Sequence, residues 1–457
     1  MATFLFTTLP SNDLGLLARS LPIARGLSAR GHEIVFSSPA KAPRMLIAEA
    51  GFENVSPKHP IYRLSQEPFG LKGIYRLFRS RPWIDEGMSA LKFLVTLIRA
   101  IPLRFAPPTP EVWNMDHAAA MAGMMNTNFV KANCEASINL VRKLKPDAMV
   151  DFWNPFACIA AKVTKTPLIS VIQADGHPSG NGFIWWKAPP DSLPSAARAV
   201  NRVLASYGVA QISRIEDLSI GNLTLIVGAP ETDPLPAGAE GQYIGSLLWQ
   251  KDNARLPSWF DRLETERPIV WVYSGNLRYM QKGTPVDSEV ILHACIEALA
   301  DEDLQVILTT GHHSIPPEYL PLPDNFRFAP YLPGLLLAQR CDLMIHHGGY
   351  GSCQTGLVSG TPMVIIPTFS ERESNARRMA AIGAGEYIVP ETTATGGKKI
   401  AVAPFRKKIL HVLKTPSYRQ HAKQYGEILN AYGGVERAVD WIEKEAINNG
   451  RSAGALP

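Results

Sequence analysis

The stretch Ile345-His346-His347-Gly348-Gly349-Tyr350-Gly351-Ser352 is the part of this chain best equipped for chemistry. It lies between an apolar run, Cys341 to His346, and a helical one, Ser352 to Ser359. In a strand-to-helix turn, Gly348, Gly349 and Gly351 let backbone N–H groups approach an anion closely, and the helix N-terminus adds partial positive charge. Ser352 supplies a hydroxyl donor and a histidine a ring N–H. The set suits a diphosphate, although alone it also reads as a plain tight turn. A second cradle, Ser274-Gly275-Asn276, follows the apolar run Pro268 to Tyr273 (PIVWVY). Two such loops in one domain fit a diphosphate lying across a sheet.

The elements that must position these loops alternate. Thr3 to Thr8 reads as a strand, and Leu17, Leu21, Ala24 and Leu27 recur at a helical period that ends at Arg30-Gly31. His32 to Ser37 is the next strand, which makes a βαβ unit and implies a parallel sheet. Asp147 to Asp151 and Pro167 to Ile172 continue the pattern. Gly228 to Glu240 concentrates glycine, proline and acidic residues, after which the alternation restarts: strands at 268–273, 304–309, 341–346 and 363–367, helices at 288–300 and 352–359. The expected organisation is an N-terminal domain over 1–228, a linker over 229–240, a C-terminal domain over 241–430, a closing helix over 431–447 and a frayed tail over 448–457. The expected fold is α/β: two Rossmann-like, doubly wound domains whose strands' carboxyl ends face each other across a cleft.

Composition agrees with two globular units and excludes other classes. The 457 residues are 46% hydrophobic and 19% charged, too apolar for a disordered chain and too long for one core. The net charge of +5 over this length lacks the concentrated basic face of a nucleic-acid binder. No run approaches the ~18 consecutive apolar residues of a membrane span. The opening Met-Ala-Thr-Phe-Leu-Phe has no basic region, so a signal peptide is not expected and the cytoplasm is the expected compartment. Cys134, Cys158, Cys295, Cys341 and Cys353 have no metal-ligand spacing and read as buried thiols, so no metal is expected.

The run from Phe328 to Tyr387 resembles the nucleotide-sugar-binding signature of family-one glycosyltransferases, which have the GT-B fold, and is similar to their macrolide, antibiotic and plant-metabolite branch. Gly15 to Glu33 resembles that family's first helix and its Arg-Gly-His-Glu lead into the second strand. Tyr243 to Trp249 resembles its linker, and Asn430 to Trp441 its closing helix. The resemblance implies that Tyr331 stacks on the nucleobase and Leu332 supplies backbone contacts. It places His347, Gly348, Gly349, Gly351 and Ser352 on the diphosphate, with Ser274 and Gly275 closing the other side. Glu371 and Arg372 fall on the pair that contacts sugar hydroxyls, and Asn375 begins the helix that follows. It also implies a nucleoside diphosphate sugar as co-substrate, uridine or thymidine based, with no bound cofactor and no metal.

Departures from the pattern bear on chemistry. Arg372 stands where the family has glutamine, and a planar cationic donor can bond a carboxylate or the diphosphate, or pair with Glu371 or Glu373. Thr355 stands where plant members have an acidic ribose contact. The histidine that deprotonates the acceptor is replaced by Leu16, which accepts no proton. Aligned instead from the first strand through Pro10, Asp13 comes to the active-site loop, as base or as helix cap. Asp151 sits where the family's base-orienting aspartate stands, as base or as structural carboxylate. Asp175 and His177 are a third option, and His312 and His313 read as loop residues.

The segment 71–105 is the least family-like. It interleaves Lys72, Arg76, Arg79, Arg81, Lys92, Arg99 and Arg104 with aromatic and aliphatic residues. Such basic amphipathic helices lie on membrane surfaces, line apolar clefts, or simply cover a domain. Trp185-Trp186 is expected to wall an acceptor pocket. The function expected is inverting transfer of a sugar to a hydroxyl of an apolar small molecule. A catalytically silent nucleotide-sugar-binding helper and a nucleotide-sugar epimerase on the same fold are the rival readings.

Overall fold

The computed structural model describes residues 1–11, 14–57, 75, 79, 81–85, 87–101, 106–107, 109, 111–275, 289–394 and 397–453. Two parallel sheets dominate it. The first joins β1 (Thr3–Thr8), β2 (Glu33–Ser37), β3 (Glu53–Asn54), β4 (Ala148–Phe152), β5 (Leu168–Gln173), β6 (Leu223–Val227) and β7 (Gln242–Tyr243) in the order β3-β2-β1-β4-β5-β6-β7. The second joins β8 (Ile269–Tyr273), β9 (Gln305–Thr309), β10 (Phe326–Phe328), β11 (Leu343–His346), β12 (Met363–Ile365) and β13 (Gly385–Tyr387) in the order β10-β9-β8-β11-β12-β13. Each order reverses beside the sheet's first strand, at β1/β4 and at β8/β11, which is where ligands of doubly wound sheets bind.

The strands are near-continuously apolar because helices cover both faces. On one face of the first sheet, Phe4, Phe6, Val150 and Phe152 pack on Leu17, Leu21 and Leu27 of α1 (Gly15–Ala29). On the other, Leu5, Val35 and Met149 meet Cys134 and Ile138 of α4 (Thr127–Leu144) and Ile159 of α5 (Pro155–Thr164). Between α1 and α4 lie α2 (Lys41–Glu49) and α3 (Ala90–Ala100), and α6 (Ala197–Ser206) follows α5. The second sheet is sandwiched likewise. Val270, Val306 and Ile345 meet α7 (Glu289–Leu299) and α10 (Val402–Lys414). Trp271, Met344 and Ile365 meet α8 (Tyr350–Ser359), α9 (Ser370–Ala381) and α11 (Pro416–Ala431). All five cysteines are free and buried in these cores.

Three observations bear on the organisation of the chain. β7 pairs with β6, so Gln242 and Tyr243 extend the first sheet although they follow the expected domain boundary at 241. The expected linker holds Thr232 and Asp233, which are 2% and 5% exposed, because they are drawn into the contact between the domains. The closing helix, expected over 431–447, is α12 (Gly434–Ala453), so it takes in part of the expected tail. It packs on the N-terminal domain, placing Ala438, Val439 and Ile442 in the core around α1. Gly26 permits that approach, since a Cβ there would lie 2.7 Å from Val439 Cγ2.

Much of the segment 71–105, including Lys72, Arg76, Phe78 and Arg104, lies outside the described residues. Within it, Ser89 caps α3 by accepting the Lys92 N–H, and Phe93 and Leu97 are buried while Leu91, Leu94, Val95 and Ile98 are exposed. No helix among the described residues is long and apolar enough to cross a membrane.

The contact between α8 and α11 tests this packing. A Cβ on Gly426 would stand 2.1 Å from the Leu357 carbonyl oxygen and 2.8 Å from its carbon, backbone atoms with little room to yield. Gly426→Ala is expected to destabilise by roughly 1–3 kcal/mol, the usual cost of overpacking. Urea unfolding checks it: the midpoint should fall at unchanged slope, and an unchanged midpoint refutes the close contact.

Candidate active site

At the β8/β11 switch point His346 and Tyr273 are in register, so the turns that follow them lie side by side. His347 stands between the two turns. A Cβ on Gly275 would meet its Nδ1 at 3.1 Å, and one on Gly349 would meet its Nε2 at 2.5 Å. Gly348 has φ +85°, and a Cβ there would lie 2.8 Å from the Arg372 carbonyl oxygen. Side chains at these glycines would therefore displace the ring or the start of α9. Burial, helped by the nearby Arg372 and His346, holds the His347 imidazole well below its ordinary pKa. It is a neutral ring. His346 shapes the turn instead. It is fully buried, its pKa is pushed down to about 3 by that burial, and it accepts the Gly348 N–H at 3.1 Å.

Gly349 is the N-cap of α8, and no side chain caps the helix. The Ser352 N–H already bonds the Gly349 carbonyl at 2.9 Å, so the anion-binding potential of this helix start lies with the amides before it. Gly351 is exposed, and a Cβ there would meet no neighbouring group within 4 Å. Ser352, half-buried, is one residue further. Thr355 bonds the Gly351 carbonyl one turn back in its own helix, at 2.8 Å.

Glu371 and Arg372 open α9. Glu371 accepts from Asn375 Nδ2 at 2.8 Å and, across the cleft, from Gln173 Nε2 at 3.5 Å. Burial raises its pKa. Asn375 Nδ2 also donates to the Gly348 carbonyl at 2.9 Å, which ties α9 to the glycine turn. Arg372 donates to Thr368 Oγ1 at 2.8 Å. The expected partner Glu373 is taken by Arg377 at 2.8 Å, one helical turn away on the same helix face. Leu332 is 7% exposed, packed in the C-terminal core. Tyr331 is 44% exposed and lies flat against His312, a residue that the sequence marks only as part of a loop.

In the N-terminal domain, Asp13 lies outside the described residues. Helix α1 begins at Gly15 with Leu14 as N-cap and no side-chain cap, and Leu16 is buried in the core. Asp151 is 1% exposed, in register with Thr7 on β1. It accepts from the Thr7 hydroxyl, from the Asn154 N–H at 3.1 Å and from Cys158 Sγ at 3.2 Å. Those donors favour the ionised form, but burial outweighs them and pushes the carboxyl up to about 6. His177 is held by the Glu240 carbonyl and the Ser179 N–H.

Asp175 belongs to a contact between the domains. It pairs with Arg378 of α9 and accepts from Ser374 Oγ at 2.7 Å. Arg378 also faces Asp233 at 3.9 Å, and Tyr350 donates both to Asp233 at 2.9 Å and to the Val227 carbonyl at 2.6 Å. Trp185 donates to Ser374 Oγ at 2.9 Å, and Arg377 lies over Trp186 at 4.2 Å. The tryptophan pair thus meets the C-terminal domain. Trp185 also lines a cavity of about 220 Å³ with Ala174, Pro234, Arg378 and Ile382. Nothing in the sequence singles out Arg378, since its partners Asp175 and Asp233 are remote along the chain.

Residues 284–431 match the family described as Erythromycin biosynthesis protein CIII-like, C-terminal domain. That range begins after Ser274 and Gly275 and contains the glycine turn, Tyr331, Glu371 and Arg372. The chain is 29% identical over 241 residues to "Uncharacterized UDP-glucosyltransferase YojK" of Bacillus subtilis (strain 168), covering 52% of this chain and 55% of that protein. It is 32% identical over 187 residues to 4'-demethylrebeccamycin synthase of Lentzea aerocolonigenes, covering 41% and 40%. These matches span about half the length of the curated relatives. The crystal structure of glycosyltransferase VinC in complex with DTDP superposes over 98% of this chain and 100% of that one, with a TM-score of 0.63 at 19% identity, a likeness of fold. The chain thus has the GT-B fold of that solved glycosyltransferase, and its C-terminal part is similar in sequence to glycosyltransferases.

In this GT-B chain the buried Asp151 has a measurable consequence. A carboxyl raised from 3.8 to about 6 binds its proton more tightly folded than unfolded. Its contribution to stability is full below about pH 4 and is lost as pH rises through about 6, roughly 3 kcal/mol in all. Asp151→Asn mimics the protonated form. Its unfolding midpoint is expected to change less between pH 4 and pH 7 than that of the parent, and parallel pH profiles refute the shift.

Proposed function

We propose that this protein transfers a sugar, with inversion, from a uridine or thymidine diphosphate donor to a hydroxyl of an apolar small molecule. The observation that carries the reading is the pair of glycine turns at the β8/β11 switch point, with neutral His347 between them and the uncapped start of α8 beside them. The diphosphate rests on the amides at that helix start, with Ser352, Ser274 and Gly275 around it. As the bond to the anomeric carbon breaks, these donors and the helix dipole receive the charge of the departing diphosphate. Glu371 takes sugar hydroxyls. Arg372, one residue on, reads a further polar group of the sugar. No resident cofactor or metal enters this scheme.

The acceptor enters from the N-terminal side, where its hydroxyl loses a proton as its oxygen attacks. Leu16 provides no base, so Asp13, which lies in the sequence between β1 and α1, takes that role. Asp151 supports it by holding Thr7 near the end of the same strand, and its raised pKa makes it the alternative acceptor of the proton. Leu16 also favours a second reading, a silent nucleotide-sugar-binding helper.

Incubation with uridine and thymidine diphosphate sugars and a panel of apolar hydroxylated acceptors tests the proposal. Acceptor-dependent release of nucleoside diphosphate with a glycosylated product supports transfer. Donor binding without turnover supports the helper. His347→Ala is expected to lower kcat/KM for the donor while the fold persists, and an unchanged value removes His347 from the donor site. General-base catalysis contributes ~10²–10⁴-fold, so Asp13→Asn should cut kcat by that order with donor affinity kept. Full activity in Asp13→Asn with a folded, inactive Asp151→Asn moves the base to Asp151. Arg372→Gln should reorder the preference among donor sugars more than it changes affinity for free nucleoside diphosphate; an equal loss for all donors assigns Arg372 to the diphosphate or to the loop.

A further inference from the structure

We infer that His312 is a positioning residue for the nucleobase: it backs one face of Tyr331 and leaves the opposite face as the stacking platform. The inference rests on the nucleoside diphosphate reading of this site. The two rings lie 4.4 Å apart between centroids with only 10° between their planes. A base inserted between them would need about twice the ordinary contact distance of ~3.5–4 Å, so the pair as built is closed to it. Tyr331 nevertheless keeps 44% of its surface exposed, and with one face covered that exposure belongs to the other face and the rim.

His312 is held in place by its backbone. Its φ of +73° is a left-handed conformation that histidine, asparagine and aspartate tolerate better than most residues. In that conformation its N–H donates to the Pro330 carbonyl at 2.9 Å, so the residue preceding Tyr331 is bonded to the loop that carries the covering ring. The Thr310 N–H reaches the same carbonyl at 3.4 Å, and the Thr310 hydroxyl bonds the His313 carbonyl. Burial, with Lys251 nearby, keeps the imidazole below its ordinary pKa, so a neutral ring faces the phenol. Ring and loop together deny Tyr331 the freedom to turn. A base that stacks on a ring already fixed loses less freedom on binding than one that must order the ring.

His312→Asn tests this, because asparagine keeps the left-handed backbone and removes the ring. Calorimetric Kd values are measured for uridine diphosphate, thymidine diphosphate and inorganic pyrophosphate, in the parent, in His312→Asn, in Tyr331→Ala and in the double variant. The expected result is roughly 3–10-fold weaker binding of a nucleoside diphosphate in His312→Asn, the scale of one aromatic contact. Pyrophosphate binding should be unchanged, and the substitution should be silent once Tyr331 is alanine. Unchanged nucleoside diphosphate affinity, an equal loss for pyrophosphate, or a loss that persists without Tyr331 overturns the assignment. A parent protein that binds neither nucleoside diphosphate overturns the functional reading itself, a result distinct from any of these.

Discussion

Arg378 shares its guanidinium between Asp175, from the loop after β5, and Asp233, from the segment that joins the two domains. All three are nearly removed from water, and such a cluster costs desolvation that its mutual attraction only partly returns. Its value lies in geometry. With Ser374 on Asp175 and Tyr350 on both Asp233 and the end of β6, the cluster sets α8 and α9 against the carboxyl ends of the first sheet. The first residues of α8 and α9 are those proposed to meet diphosphate and sugar. Both helices therefore present their starts to the cleft and spend their next residues joining the domains.

A second constraint acts within the C-terminal domain. The glycine turn and the start of α9 touch through backbone: the Arg372 carbonyl lies where a Gly348 side chain would be, and Asn375 holds the Gly348 carbonyl. The glycine turn and the start of α9, proposed to hold diphosphate and sugar, are thus tied directly to each other. His346 completes the turn from below, accepting the Gly348 N–H with a ring that burial keeps neutral. Two adjacent histidines with one name carry different duties. His346 sits on the buried face of β11 and His347 on the turn beyond it.

The N-terminal side is organised differently. Asp151, one residue before the end of a strand buried on both faces, spends its oxygens on Thr7, Asn154 and Cys158, so it braces β1 against α5. Asp175, a candidate base on sequence grounds, is committed to Arg378 and Ser374, and His177 to backbone groups. Asp175 and His177 are therefore bound up in structure, unlike a group free to take a proton from an acceptor.

The two wound domains, the glycine turns after β8 and β11, and the lack of a proton acceptor at Leu16 are legible in the amino-acid sequence. These are local matters: strand and helix periods, the backbone freedom of glycine, and the chemistry of one side chain. Which partner each polar group takes is settled by the fold instead. Arg372 bonds Thr368, because Arg377 lies one helical turn from Glu373 and takes it. β7 joins the first sheet and α12 returns to α1, although both follow the expected domain boundary. His312 lies on Tyr331 because its left-handed backbone directs its N–H to the Pro330 carbonyl, just beyond β10. A buried charge or ring is satisfied by whatever the fold brings within a few ångströms, and such neighbours, distant along the chain, leave no period or spacing in the sequence.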